Sequence, residues 1–274
     1  MPDLLLATAA AAPAASRLSG PWQATVDSVT LARRSIRMAM RRTDAMLTAL
    51  LMPVLLMLVF GYLFGGAIKA SIPGVSYVTY LAPGIVLTCV MLGASTTAVS
   101  VNGDVTEGII DRFRALDING IAFVAGHVAA STIRNAVSAA LVFAVAVPMG
   151  LRSDASPLAW LATVGLVLVL ILAISWLAAL GGLAVSSPDA ASSFTFFLML
   201  IPFTSSAFVP VATMPHWLQV FARNQPATRV IDSIRSLLEQ KPAGSEPWLA
   251  VAWFGGIMLA AAALSAVVFQ RRTR

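Results

Sequence analysis

Six long apolar segments, separated by short polar stretches, constrain the fold of this chain more than any other feature. They cover residues 45–68, 81–101, 121–150, 157–185, 190–209 and 248–269. A helix needs about 20 apolar residues to cross the hydrocarbon core of a bilayer, and every segment has that length. Hydrophobic residues make up 58% of the chain and charged residues only 11%, far from the balance of a soluble domain. The sequence therefore predicts an all-α polytopic membrane protein with six transmembrane helices.

The residues before the first span divide into a tail and a basic helix. Residues 1–20 are rich in Ala and Pro and lack the early positive charges of a secretory signal, which favours a disordered cytosolic tail. In 21–44, apolar residues recur at helical spacings and arginines occupy much of the remaining surface. This pattern predicts an amphipathic interfacial helix on the anionic cytoplasmic leaflet.

The positions of Lys and Arg indicate the topology. They are concentrated before the first span, after the second and after the sixth, which would all lie on the same side of the membrane. The positive-inside rule then places both termini in the cytoplasm. Four basic residues between 210 and 247 fall on the outer side, and we expect them on water-facing surfaces of short helices. They are Arg223, Arg229, Arg235 and Lys241.

The stretch 102–117, after the second span, is the only internal run in which charges crowd together between two apolar segments. Its charged residues are Asp104, Glu107, Asp111, Arg112, Arg114 and Asp117. Its apolar residues Ile109, Ile110, Phe113 and Leu116 recur at helical spacing. The pattern predicts a short amphipathic helix at the membrane surface, which suits a contact with something outside the bilayer.

One face of the third span is polar. His127, Ser131, Arg134 and Ser138 follow the spacing i, i+4, i+7, i+11. Ionisable residues inside a membrane are candidates for function, so His127 and Arg134 could line a substrate route or a subunit interface. Alternatively, the first turns of this helix protrude into the cytosol and Arg134 snorkels there.

The fifth span and the region after it carry further candidates. The fifth span is interrupted by Pro202 and rich in phenylalanines, of which Phe194, Phe197 and Phe203 could contact a hydrophobic substrate or simply lipid and core. Within 214–238, apolar periodicity predicts two short helices that are too short to span. They fit a re-entrant or interfacial pair on the outer side of the membrane.

The chain carries none of the short motifs that bind nucleotides or hydrolyse substrates. It has no phosphate-binding loop, and its two histidines, His127 and His216, fall in segments predicted on opposite sides of the membrane. No bound cofactor or metal site is therefore expected, and the chain is not predicted to be an enzyme. The spans also contain few ionisable residues, so energy for transport would enter through a partner.

Several fragments, in order, resemble those of ABC-2 type permeases of ATP-binding-cassette exporters, most closely the daunorubicin-resistance type. The fragments are Phe60-Gly61-Tyr62-Leu63-Phe64-Gly65-Gly66, Tyr80-Leu81-Ala82-Pro83-Gly84, Asp104 with Glu107-Gly108 and Arg112, Met214-Pro215 with Trp217-Leu218, and Asn224-Gln225-Pro226. The resemblance covers roughly residues 22–272.

This resemblance implies a six-span domain over 45–270 that pairs with a second permease half, identical or not, and with two cytosolic ATPase subunits that bind ATP and Mg²⁺. It also makes 104–117 the coupling helix, and Glu107 and Arg112 would sit in a groove of the ATPase. The coupling residues would be Asp104, Glu107, Gly108, Asp111, Arg112 and Phe113. Many relatives have a proline soon after this helix, whereas this chain reads Leu116-Asp117-Ile118, so its end departs from the family pattern.

The expected function is export of hydrophobic or amphipathic compounds, such as drugs or lipids, across a bacterial plasma membrane. Export of a polysaccharide or a lipid-linked glycan is an alternative within transport. Two other classes are a carrier driven by an ion gradient, which the scarcity of buried carboxylates disfavours, and a membrane enzyme acting on lipids, which would need clustered catalytic side chains.

Overall fold

The computed structural model describes residues 43–68, 76–107 and 120–272, and the regular elements within these ranges are helical. The predicted tail, nearly all of the predicted interfacial helix 21–44 and residues 108–117 of the predicted coupling helix lie outside the described residues. The prediction of an all-helical membrane protein is confirmed for the described part of the chain.

The helices are named here in chain order. They are α1 (Thr43–Leu58), α2 (Gly65–Ile68), α3 (Tyr77–Thr106), α4 (Gly120–Ala146), α5 (Pro157–Ala184), α6 (Pro188–Met199), α7 (His216–Asn224), α8 (Pro226–Leu238) and α9 (Glu246–Arg272). A π-helical segment, Val59–Phe64, joins α1 to α2, and 3₁₀ turns occur at Pro202–Thr204 and Val211–Thr213.

Four of these helices are long and apolar enough to cross a membrane. The spanning stretches are Tyr77–Thr106, Ile121–Ala146, Pro157–Ala184 and Glu246–Arg271. They coincide with the second, third, fourth and sixth predicted spans. The first predicted span, 45–68, is helical throughout its length, but it combines α1, the π-helical segment and α2, and its described apolar stretch, Leu51–Phe64, is shorter.

Helix α3 forms the centre of the bundle. It packs against α1, α4, α5, α6 and α8. In its most apolar stretch 67% of the residues are buried, compared with 17% for α9, so α9 lies at the periphery. The side chains of Leu81, Ile85 and Leu87 are fully buried. Sequence changes in α3 therefore affect almost every other part of the described fold.

Local sequence signals set the starts of α5 and α6. Ser156 and Ser187 are the N-cap residues, and the hydroxyl of each accepts a hydrogen bond from the backbone N–H three residues later. Pro157 and Pro188 follow at the first helical position, where the missing amide proton costs nothing. Both helix starts are therefore determined by residues within one turn of the helix.

Two helices end at residues other than the predicted ends of their spans. The second span, predicted to end at 101, continues as α3 to Thr106 because Val101 and Asn102 are buried against neighbouring helices. The third, predicted to reach 150, ends as α4 at Ala146. Gly150 has φ +102°, and the next backbone N–H, that of Leu151, returns to the carbonyl of Ala146, so the chain turns there.

The predicted fifth span, 190–209, is an α-helix only over Pro188–Met199. Pro202 has no amide proton, and the chain continues in turns to Phe208. The segment nevertheless extends along α3. Just before the segment, the carbonyl of Val185 accepts a hydrogen bond from Asn102 of α3, and near its end the backbone of Ala207 approaches Gly84 of α3. Gly84 and Asn102 lie about 27 Å apart along α3 at 1.5 Å per residue.

A glycine sets the contact between α3 and α5. A Cβ atom on Gly182 would lie 2.3 Å from the carbonyl oxygen of Ala98, a backbone atom that cannot move aside. We expect Gly182→Ala to destabilise the protein by about 1–3 kcal/mol, measured as a lower melting temperature in detergent.

The matched control for this substitution is Gly165→Ala in the same helix. A Cβ atom there would meet no atom within 4 Å, so the helix propensity of Ala should leave the stability unchanged or slightly higher. Equal melting temperatures for the two variants would contradict the close approach of α3 and α5.

Candidate coupling site and intramembrane polar network

The two ends of the bundle carry different polar clusters. The loop end is defined here as the end where α3 stops and α4 starts, on either side of residues 108–119. The hairpin end is the opposite end, where α3 starts and α8 packs against it. Antiparallel packing of α3 and α4 brings residues that are distant in sequence together at the loop end.

At the loop end, Asp104 and His127 form an ion pair between α3 and α4. The Oδ2 atom of Asp104 lies 3.1 Å from Nε2 of His127, and the side chains are 18% and 10% exposed, respectively. The ring of Phe123 meets the imidazole edge to face at 4.9 Å. The neutral imidazole can donate Nε2–H to the carboxylate, and protonation would add charge to the pair. The contact fixes the last turn of α3 to the second turn of α4.

Asn102, two residues before Asp104, ties α3 to the end of α5. Its side-chain amide donates to the carbonyl oxygens of Gly182 at 3.0 Å and Val185 at 2.8 Å. The last carbonyls of a helix have no intrahelical partner, so this buried amide satisfies groups that α5 itself leaves open. The ends of α3, α4 and α5 are thereby joined beside residues 108–119.

The predicted coupling residues fall into two groups. Asp104 belongs to α3 and faces His127, and Glu107, at the C-cap of α3, is exposed. Gly108, Asp111, Arg112 and Phe113 lie outside the described residues. The structure thus pairs Asp104 with His127, two residues for which the sequence suggested different roles. The predicted start of a separate helix at about 104 was wrong, because α3 continues to Thr106.

The ion pair is testable by a double-mutant cycle with Asp104→Ala, His127→Ala and both together. We expect a coupling energy of about 0.5–3 kcal/mol in thermal or denaturant unfolding, because each single change already removes the contact. Glu107→Gln, at the exposed end of the same helix, is the control and should leave unfolding unchanged. Strictly additive effects of the two substitutions would contradict the pair.

In the middle of the bundle, the predicted polar face of α4 meets polar side chains of α3 and α5. The Ser131 hydroxyl lies 2.8 Å from that of Thr97 and 2.9 Å from that of Ser175. Nη2 of Arg134 donates to Thr97 Oγ1 at 2.9 Å and to the carbonyl of Gly93 at 3.3 Å. The guanidinium therefore binds α3.

The predicted phenylalanines do not form one surface. The ring of Phe194 packs where a Cβ atom of Gly181 would lie, which places it against α5. Phe197 is 69% exposed, and Phe203 stacks on Phe208 with ring centroids 5.1 Å apart. Phe208 in turn stacks on Phe60 at 4.4 Å. Of the three candidates, Phe194 packs on another helix, whereas Phe197 and Phe203 are both largely exposed.

Arg235 at the hairpin end was missed by the sequence reasoning, which expected it to face water. It is 7% exposed, its guanidinium carbon lies 3.4 Å from the centroid of the Tyr80 ring, and Nε donates to the Tyr80 carbonyl at 2.9 Å. Nη1 donates to Asp232, and Nη2 donates to the carbonyls of Ser206 and Ala207. Burial lowers the pKa of Arg235, whereas the facing Tyr80 and Asp232 raise it.

A sequence signal for this burial existed. Arg235 lies four residues after Ile231 and three before Leu238, both of which are fully buried, so it shares the apolar face of α8. The predicted existence of two short helices before the sixth span is confirmed as α7 and α8. The expectation that α8 would present all of its basic residues to water was wrong for Arg235.

An apolar cavity of about 380 Å³ lies between α3, α5, α6, α9 and the junction of α7 with α8. Met91, Ile174, Leu198, Phe221 and Phe254 are among its lining residues. This volume is within the range of small-molecule sites, and its lining is suited to apolar groups.

Sequence comparison relates this chain to one family and to named relatives within it. Residues 28–238 match the ABC-2 type transporter family. The chain is 32% identical over 225 residues to the daunorubicin resistance ABC transporter permease protein DrrB1 of Streptomyces coeruleorubidus, which covers 80% of this chain and 77% of the relative. It is 21% identical over 223 residues to the probable doxorubicin resistance ABC transporter permease protein DrrC of Mycobacterium tuberculosis, covering 81% and 80%. Because the family match extends over most of the chain, the protein belongs to the ABC-2 type transporter family and is a membrane-embedded permease.

Proposed function

We propose that this permease is the transmembrane half of an exporter that moves hydrophobic or amphipathic compounds out across the bacterial plasma membrane. A separate ATPase subunit supplies the energy. The observation that carries this proposal is the 32% identity, over four fifths of the chain, to a permease named for daunorubicin resistance. The chain pairs with a second permease half, and both of its termini are cytoplasmic.

The geometry of the loop end supports coupling to a partner. Asp104–His127 and the contacts of Asn102 hold the ends of three helices together on either side of residues 108–119. A push on that stretch would therefore act on α3, α4 and α5 as one unit. Since α3 contacts most other helices, movement at its loop end would be transmitted through the bundle.

Six crossings remain our proposal for the topology. The four long apolar helices account for four of them. The segment from Val185 to Ala207 passes along about 27 Å of α3, which supports a crossing that is partly non-helical and buried against protein. The continuous helical stretch 43–68 supports another, and α7 with α8 would form the outer re-entrant pair.

The apolar cavity and the scattered positions of the aromatic residues support a hydrophobic or amphipathic substrate. A cavity of about 380 Å³ with an apolar lining suits a drug-sized or lipid-like compound. A sugar polymer would need a wide path lined by aromatics, whereas Phe194 packs against α5 and does not line such a path.

Purification of the tagged chain from its native membranes in mild detergent tests the partnership. We expect a polypeptide with a G-x-x-x-x-G-K-[ST] motif to co-purify in a 1:1 ratio and the eluate to hydrolyse ATP. A monodisperse permease that never retains an ATPase, even after cross-linking in the membrane, would contradict the proposal.

A further inference from the structure

Arg134 of α4 has no acidic partner among the residues that the structure describes. No carboxylate of the described residues lies within ion-pair distance of its guanidinium. In the described contacts, Nη2 is the guanidinium nitrogen that donates hydrogen bonds. A charged side chain at the bilayer centre costs several kcal/mol unless it is compensated. Among the described residues, this charge is compensated only by the two hydrogen bonds that Nη2 donates to Gly93 and Thr97.

The neighbouring polar side chains carry no charge, and apart from the bond that Thr97 accepts from Arg134 they bind one another. The hydroxyls of Thr97, Ser131 and Ser175 are joined by hydrogen bonds of 2.8 and 2.9 Å, and the Asn135 amide donates to Ser131 at 3.2 Å. The buried Nε of Arg134 has no hydrogen-bond partner. Nη1 forms none of the described hydrogen bonds and is not enclosed as Nε is, so its donors are open, and they favour an oxyanion such as a carboxylate or a phosphate.

The position of Arg134 makes it accessible to an amphiphile within the membrane. It contacts Gly93, which is about 20 Å or more from either end of α3. Arg134 is itself partly exposed, and the side chains of Ile133 and Val137, which neighbour it on α4, are each 47% exposed. An acidic group could reach Arg134 while its apolar chain lies on these two residues.

We infer that Arg134 is a recognition residue for anionic amphiphiles, binding their acidic group at mid-depth in the membrane while Ile133 and Val137 contact the apolar part. The inference names a substrate class for the proposed exporter and in that respect rests on the proposed function. The binding step itself requires neither ATP nor a partner subunit. At this depth the acidic group belongs to a compound that enters the membrane interior, not to a bilayer lipid, whose phosphate lies at the interface.

Binding of a matched pair of probes tests the inference. The probes are a fluorescent long-chain fatty acid and its methyl ester, measured with the purified protein in phosphatidylcholine nanodiscs and with empty nanodiscs as the blank. We expect the acid to bind the wild-type protein at least about tenfold more tightly than the ester. Arg134→Gln should remove that difference by weakening acid binding alone, and Arg134→Lys should retain part of it.

The control is Arg152→Gln, which removes an exposed arginine from the loop between α4 and α5 and should leave both affinities unchanged. Equal binding of acid and ester by the wild-type protein would overturn the inference, and this result does not depend on whether Arg134→Gln folds. A preference for the acid that persists in a folded Arg134→Gln protein would also overturn it.

A second arm distinguishes the source of the anion. When a fifth of the phosphatidylcholine is replaced by phosphatidylglycerol, we expect acid binding to change less than twofold. Complete competition would assign the site to a lipid headgroup and overturn the assignment to an amphiphile of the membrane interior. Because export is not measured, a negative binding result would leave the proposed permease function standing.

Discussion

Replacing Arg235 with Gln is expected to destabilise the fold by about 3 kcal/mol or more. The guanidinium is almost completely buried and bonds to the carbonyls of Tyr80, Ser206 and Ala207 as well as to Asp232. Removal of one partner from a buried charged network leaves the others without hydrogen bonds in an apolar surrounding. For a chain of this size the loss corresponds to a melting temperature lower by about 6–12 °C, measured in detergent by loss of the monodisperse peak.

Two further variants sharpen this prediction. Arg235→Lys retains the charge but lacks the planar fork that reaches several carbonyls at once, so it should restore only part of the stability. Arg223→Gln, on the neighbouring helix α7, removes an exposed arginine whose only described partner is Gln219, and its melting temperature should stay within about 2 °C of wild type. If Arg235→Gln melted as late as Arg223→Gln, the burial of Arg235 would be contradicted.

The double substitution Glu107→Ala and Arg112→Ala is expected to reduce ATP-driven export by at least about tenfold without removing the protein from the membrane. Glu107 is exposed at the end of α3, and Arg112 belongs to the charged stretch that follows it. Two charged hydrogen bonds to a partner, at about 1.5–3 kcal/mol each, suffice for such a loss. Export is measured in cells as drug tolerance or in vesicles as uptake of a fluorescent compound.

The matched control for the double substitution is Arg152→Ala with Asp154→Ala. This pair removes the same two charges from an exposed loop at the hairpin end and should leave export unchanged. The level of ATPase retained on purification separates two causes of failure, because loss of docking lowers it whereas loss of a later step does not. Undiminished export in the Glu107 and Arg112 double variant would rule out a coupling role for these residues.

The elements that could be predicted from sequence are those determined by nearby residues. The start of α5 follows from Ser156 and Pro157, and that of α6 from Ser187 and Pro188, since each depends on contacts within one helical turn. The helices α7 and α8 follow from apolar periodicity of the same range.

The parts that could not be predicted depend on contacts between distant residues. Arg235 binds the carbonyl of Tyr80, 155 positions away, and Asp104 meets His127 across a change of helix. A basic residue on a short helix is most simply expected to face water, and only the approach of α3 to α8 makes burial of Arg235 favourable. The end of α3 was misplaced for the same reason, because the burial of Asn102 depends on α5.

Transport by the purified permease, with and without an ATPase subunit, tests the central claim most directly. Proteoliposomes would contain this chain alone or together with its co-purified ATPase, and accumulation of a fluorescent amphiphile would be followed on addition of ATP and Mg²⁺. We expect accumulation only when permease, ATPase and ATP are all present, and none in liposomes that contain the permease and an ion gradient. Accumulation by the permease alone, driven by that gradient, would contradict the account.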